Sequence, residues 1–264
     1  MKRSNRWLSR CSFSALLALS LPAAQALNTA PGGRPEADVG SAGLGAAWAP
    51  AYAGARERKA QGLPLIDYRW KSGWFAGTLS GVGYEASSNP RLSFGPRLTV
   101  DLGRKENLDP RLRGLGDVKP QAELGGYFSF GLLPQLQISS SLRYGSGPER
   151  DGLLIEQGLQ YRRLLGRRTA LGLGLSATWA NAEHLQAHFG VSPSQALRSR
   201  LPEYRPRDGL REVRLQLGLI QNLSPEIDLF IGLEGSRLGK QAKRSPLVQR
   251  ADNAALLLGI THRF

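Results

Sequence analysis

The sequence predicts an all-β protein: an antiparallel, up-and-down transmembrane β-barrel of ten or twelve strands, after a cleaved signal peptide. Three observations predict it. The first 26 residues have the build of an export signal. From about Gly40, apolar and polar side chains alternate with period two in one segment after another. The links between those segments alternate between short turns and long loops, and the chain ends on an aromatic, Phe264.

Residues 1–10 carry Lys2, Arg3, Arg6 and Arg10 and no acid. An apolar run, 11–21, follows, then Pro22 and Ala24-Gln25-Ala26. A basic start, a short apolar core and an A-x-A site make a secretory signal, and the core is too short to span a bilayer as a helix. Cleavage is expected after Ala26; the alternative is a basic cytosolic N-terminus. The four cations leave with the signal, so 31 remain against 21 acids, a net charge of +10 in place of +14. Cys11, the only cysteine, leaves too, so no disulfide holds the exported chain. It also stands at the start of the apolar core, not after it, which is the wrong side for a lipoprotein cysteine. Glycine, 32 of 264 residues, stands well above the usual ~7% and argues against an all-α fold. The mean hydropathy of −0.29 excludes a bundle of transmembrane helices.

Residues 27–39, rich in Pro, Gly and Ala, read as a flexible leader, and 40–264 as the barrel. Segments 40–49, 64–72 and 74–86 open it. In 91–103, Leu92, Phe94, Leu98, Val100 and Leu102 share one parity, with Arg91, Ser93, Arg97, Thr99 and Asp101 on the other. Successive side chains of a strand point to opposite faces, so one face is apolar. The same split recurs at 121–131, 135–144, 153–162, 171–179, 212–219 and 227–234, and in the last strand through Leu256, Leu258, Ile260 and Phe264. These make about eleven segments, whereas bacterial single-chain barrels have an even number. Either 64–86 is one long bent strand, giving ten, or one strand is hidden, giving twelve; Lys71-Ser72-Gly73 is the doubtful turn. Trp48, Trp70, Trp74 and Trp179 are candidates for interfacial girdles, with single core positions as the alternative.

Short turns fall at 87–90, 133–134, 166–168 and 222–225, and long links at 104–119, 145–152, 181–210 and 237–252. Short turns at one end and long loops at the other mark an outer-membrane meander. A soluble sandwich would show the same alternation with the apolar face inward. In a bilayer barrel that face points to lipid and the polar face lines the lumen. Closure is required there, because every backbone group in lipid must be paired. The signal, the loop lengths and the terminal Phe264 favour the membrane form. That last strand resembles the assembly signal read by the barrel assembly machinery of Gram-negative bacteria.

Gly43-Leu44-Gly45-Ala46-Ala47-Trp48 and the following Pro50-Ala51-Tyr52-Ala53-Gly54 resemble the opening strand and loop of one family. Asp67-Tyr68-Arg69-Trp70, Trp74-Phe75, Gly81-Val82-Gly83-Tyr84, Leu92 to Leu98, Gly103-Arg104 and Leu115-Gly116-Asp117-Val118 continue the likeness. Phe189-Gly190-Val191-Ser192, Tyr204, Ser245-Pro246 and Arg263-Phe264 complete it. Together, over about 40–264, they resemble the MipA/OmpV family, the MltA-interacting proteins of the Gram-negative outer membrane. The resemblance implies a non-enzymatic outer-membrane barrel with a structural or scaffolding role. Its implied partners are a lytic transglycosylase and a murein synthase; porin-like channels and surface adhesins are the family's other implied roles. The chain departs from the family at His184 and His188, where aromatics are expected, and at Arg244, where an acid is common.

The residues offer little chemistry. His184 and His188 are four apart and would face a metal together only on a helix. No HExxH pattern is present, so solvated loop histidines and no metal are expected. No GxSxG is present, and His262 lies on the lipid-facing parity, so no enzyme and no cofactor are expected. The Gly-rich 43–45 and 81–83 lack the Lys-Ser/Thr of a phosphate loop. The inward parity mixes signs: Arg97, Arg143, Arg162 and Arg214 against Asp101, Glu123, Glu156, Asp228 and Glu234. A salt-bridged network filling a largely blocked lumen is the leading reading, and a narrow selective pore the other. Excess basic charge sits in the loops. Arg198, Arg200, Arg205 and Arg207 are candidates for contact with lipopolysaccharide phosphates, with ordinary solubilising charge as the alternative. Outer-membrane lipid is the other expected partner; nucleic acid is not one for an exported chain.

Overall fold

A computed structural model describes residues 33–264. The expected signal at 1–26 and the first part of the leader lie outside the described residues. Among the described residues, twelve strands form one closed antiparallel barrel in chain order. They are β1 (Val39–Pro50), β2 (Arg58–Arg69), β3 (Trp74–Gly77), β4 (Gly81–Tyr84), β5 (Leu92–Asp101), β6 (Gln121–Leu133), β7 (Leu136–Ser146), β8 (Gly152–Leu164), β9 (Thr169–Ala180), β10 (Gly209–Asn222), β11 (Ile227–Leu238) and β12 (Asp252–Arg263). The barrel closes where β1 meets β12, in a register running from Ser41 opposite Arg263 to Trp48 opposite Leu256. Gly40 and Phe264 exchange backbone hydrogen bonds of 3.1 and 3.0 Å at the end of that seam.

Alternation sets the faces. Leu44, Leu98, Val100, Leu124, Leu215 and Ile260 stand exposed on the outer wall. Glu123, Thr178, Arg214 and Gln216 are buried inside it. A water-soluble protein would invert that arrangement; here lipid takes the place of water against the apolar face. Both ends of the barrel chain, and the short turns, lie at one rim, which the general rule for such barrels makes periplasmic. Trp70, Trp74, Tyr68, Tyr84 and Phe264 gather near it, with ring centroids of Tyr68 and Trp70 4.6 Å apart and of Trp74 and Tyr84 5.4 Å apart. Trp48 stands toward the other rim with the Arg58 guanidinium 3.9 Å over its ring.

The ten-strand alternative is set aside by the segment 74–86, which is a hairpin of two four-residue strands, β3 and β4. Lys71-Ser72-Gly73 is a true turn, with Gly73 at φ +101° and its N–H bonded to the Trp70 carbonyl at 2.9 Å. β3 stops early because Thr78 folds back on β2. Its N–H donates to the Ile66 carbonyl at 2.8 Å, and its hydroxyl accepts from the Ile66 N–H at 3.2 Å. β2 in turn starts at Arg58 and not at the expected boundary, Pro64, because residues 58–62 carry no apolar alternation to announce it. Its upper half, 58–65, therefore has β1 on one side and no strand on the other among the described residues. Pro64, which has no N–H to offer a neighbour, sits on this edge.

One expectation about the lumen needs correcting. Its wall is not polar throughout: Ala47, Leu63, Leu65, Phe230 and Leu257 point inward and pack as a cluster, with Ile220 and Leu79 against them. These residues fall on the inward parity of their strands, so the barrel holds a greasy sector as well as a charged one.

Candidate functional site: lumen and cap

The charged sector is built around Arg214 on β10, which is 4% exposed. Its guanidinium reaches Glu212 on its own strand, Glu156 on β8 at 3.8 Å and Glu234 on β11 at 3.7 Å. Arg211 joins through a second contact to Glu212. Consecutive residues of a regular strand point to opposite faces, so Arg211 belongs outside by parity. A β-bulge between Leu210 and Glu212 turns it inward, where it is buried. On the neighbouring wall, fully buried Glu123 accepts from Arg143 at 3.3 Å and from the Thr99 hydroxyl at 3.2 Å. Thr178 donates to Glu156 at 3.1 Å and Gln216 to Glu234 at 3.4 Å.

Of the nine expected lumen charges, the structure thus brings Glu123 and Arg143 together as a pair, and Glu156, Arg214 and Glu234 as a cluster. Arg97 lies with its guanidinium 5.8 Å from the Tyr127 ring. Asp228 pairs instead with Arg263 at 2.9 Å and with Asn222, near the periplasmic rim. Arg162 is six residues beyond Glu156 on β8, about 20 Å at strand rise. Asp101 turns to the cap, where it meets His188 at 2.8 Å. Sequence parity does not reveal Arg211, because a bulge leaves no mark in the alternation, or Glu212 as a charge shared by two arginines.

Another buried acid organises the periplasmic rim. Glu85 accepts from the N–H groups of Ser87 at 2.9 Å and Phe94 at 3.2 Å, from the Tyr127 hydroxyl at 3.1 Å, and from Ser93. Arg34, from the expected leader, donates to the Glu85 carbonyl at 3.0 Å and to the Tyr84 hydroxyl at 2.7 Å. Beside this rim lies a cavity of about 230 Å³, lined by Leu65, Leu79, Phe230, Asp67, Asp228 and Arg263.

At the other rim the long loops knit into a cap with its own core of Tyr52, Leu108, Leu112, Leu115, Val191 and Leu247 and small alanines. The Tyr52 hydroxyl donates to the Leu247 carbonyl at 2.8 Å, Arg111 to the Pro246 carbonyl at 2.7 Å, and Ser245 to the Phe189 carbonyl at 2.6 Å. Burial, with Asp109 nearby, pushes the Tyr52 phenol up to about 12. It therefore stays a hydrogen-bond donor at any physiological pH.

The two loop histidines correct the expectation of solvated side chains. Residues Ala182–Phe189 form a helix, α1, and Pro193–Ser199 a second, α2. Asn181 caps α1 by accepting from the His184 N–H at 3.1 Å, and it ties the helix to the wall by accepting from the Leu153 N–H at 2.8 Å. On a helix, residues four apart share a face, and here that face is buried: His184 is 2% exposed and His188 9%. Burial first, then His188 and Arg211, hold the His184 imidazole well below its ordinary value, so it is neutral. The Ser146 hydroxyl lies 2.7 Å from its Nδ1. Asp101, His184 and His188 bring three ligating atoms within 4.8 Å of one another.

The four arginines expected at lipopolysaccharide are all exposed. Arg198 donates to the Gly114 carbonyl at 3.1 Å, and Arg200 ends α2 in a left-handed conformation, φ +62°. Arg205 and Arg207 line a cavity of about 930 Å³ together with Asp117, Glu149, Asp151 and Glu183.

A family profile described as MltA-interacting protein MipA matches residues 42–264. No curated protein matches the chain. Among solved structures, the barrel is similar to the NanC porin at 9% identity, over 84% of this chain and 98% of that one, with a TM-score of 0.51. It is also similar to the Pseudomonas putida toluene transporter TodX, at 9% identity over 92% and 91% of the two chains, with a TM-score of 0.40. Identities this low speak to fold alone, and the likeness to NanC is that of an outer-membrane barrel.

Proposed function

This chain belongs to the MltA-interacting protein MipA family, and from that premise we propose that it is a non-conducting scaffold of the Gram-negative outer membrane. In this reading it carries no catalysis of its own. It offers its periplasmic rim to a lytic transglycosylase and, through it, to a murein synthase. The observation that carries the reading is the lumen: Glu123 is wholly buried and Arg214 and Gln216 nearly so. Groups this buried are paired with one another, and in this reading an ion would have to break that sector to pass. The cap, with its own apolar core, supports the same reading from the outer side.

Planar-bilayer recording tests it. Purified barrel is expected to insert and stay silent. Steady, ion-selective steps would replace the scaffold by a small diffusion channel, a role favoured by the fold it shares with the NanC porin. The partner is tested separately, by cross-linking in intact envelopes from a cysteine placed at exposed Arg91 on the periplasmic rim. Recovery of a lytic transglycosylase is expected, and its absence from the cross-linked species would remove the murein link.

A further inference from the structure

The geometry points to a metal site that nothing above requires. Asp101, His184 and His188 are arranged to bind one divalent late first-row ion, such as zinc, and so to pin α1 to the end of β5. The ligands come from two elements far apart in sequence: Asp101 closes β5, and the histidines share one face of α1. Their ligating atoms lie within 4.8 Å of one another. An ion with bonds of about 2.0–2.2 Å at near-tetrahedral angles holds its ligand atoms about 3.3–3.6 Å apart, so binding would draw the widest pair in by somewhat more than about 1 Å.

The protonation pattern suits an ion. His184 is 2% exposed, and its Nε2 has no hydrogen-bond partner among the described residues. A buried ring nitrogen left without a partner is costly. When Nδ1–H donates to the Ser146 hydroxyl, 2.7 Å away, Nε2 carries its lone pair free. That is the form a metal binds, with Ser146 as the outer partner that fixes the ring. Asp101 supplies the negative charge, already 2.8 Å from His188. The cations nearest His184, Arg143 and Arg211, are each paired, to Glu123 and to Glu212. They therefore oppose a dication less than bare charges would. Two imidazoles and one carboxylate suit zinc, cobalt, nickel or copper, whereas magnesium and calcium prefer all-oxygen shells.

The consequence is mechanical. Phe189, the last residue of α1, accepts from Ser245 in another loop. An ion tying α1 to β5 therefore braces the whole cap, and stability rises with metal concentration.

The test uses the mature protein, untagged, in detergent, stripped with a chelator and titrated with Zn²⁺ by calorimetry. One equivalent is expected to bind at or below about 1 μM, with a rise in the thermal transition. His184→Gln and His188→Gln should each weaken binding at least 100-fold, and Ser146→Ala by about 10–100-fold. Because the histidine variants could disturb the cap, the wild-type protein is also loaded with one equivalent of Cu²⁺ and examined by electron paramagnetic resonance. Coupling to two imidazole nitrogens is expected. His262, the remaining histidine, is on the outer wall near the opposite rim and cannot supply the second. No saturable zinc uptake, a copper spectrum without two-nitrogen coupling, or undiminished affinity in folded histidine variants would each overturn the site.

Discussion

Arg214→Met is expected to lower the unfolding free energy of the barrel by about 3–5 kcal/mol, the range for breaking one side of a buried ion cluster. The size follows from what is left behind. Arg214 is the shared cation of Glu212, Glu156 and Glu234. Methionine fills much of the same volume but leaves those largely buried carboxylates facing one another without their shared cation. Adding Glu234→Gln to the same chain should recover part of the loss, since it removes one of the carboxylates left without Arg214, while Glu212 keeps Arg211 as its partner. Urea unfolding of the refolded barrel in lipid vesicles measures both. A loss below about 1 kcal/mol for the single variant, the size of an exposed pair, would mean the cluster is hydrated and the lumen is not closed there.

Gly43→Ala should be nearly as damaging, for a different reason. Gly43 lies on β1 opposite Thr261 of β12, in the seam that closes the barrel. A β-carbon placed there would overlap the Ile260 carbonyl oxygen and come within 2.7 Å of the Thr261 Cα. Both are backbone atoms and cannot swing aside as a side-chain tip can. The seam must then open or slip, at an expected cost of about 3 kcal/mol or more, the upper end of the range for overpacking. Gly235→Ala is the control. It is exposed on β11, with nothing within 4 Å of the added carbon, and should change stability by no more than about 0.5 kcal/mol. Equal effects in the two variants would show that close approach at the seam is not what excludes a side chain from Gly43.

Much of the wall is legible in the sequence because lipid and lumen impose opposite demands on neighbouring residues. Leu98 beside Thr99, or Leu215 beside Arg214, announces a strand and both its faces at once. The exceptions are where that demand lapses. Residues 58–62 of β2 are polar or small on both parities, so the strand's first half is silent. Residues 74–86 read as one segment; Gly77 and Gly81, bracketing Thr78-Leu79-Ser80, are the marks of the hairpin inside it. Leu63, Leu65 and Leu257 are apolar yet inward, which alternation alone cannot tell from lipid-facing positions. The loop helices did leave a trace: Asn181 ahead of Ala182-Glu183-His184, and Ser192-Pro193-Ser194-Gln195, a capping box with proline at the first turn. Read that way, His184 and His188 fall on one helical face. Their meeting with Asp101, 87 residues away from His188, depends on the closed barrel and is invisible in any local pattern.

The core of the cap carries an instruction about order. Tyr52 and Leu247, joined by one hydrogen bond, are 195 residues apart, and Leu112 and Val191 come from two further loops. Tyr52 follows β1 and Leu247 precedes β12, so their bond requires the first and last strands to stand side by side. The cap is thus a reporter of the closed seam: its core is complete only in a barrel whose two end strands are paired.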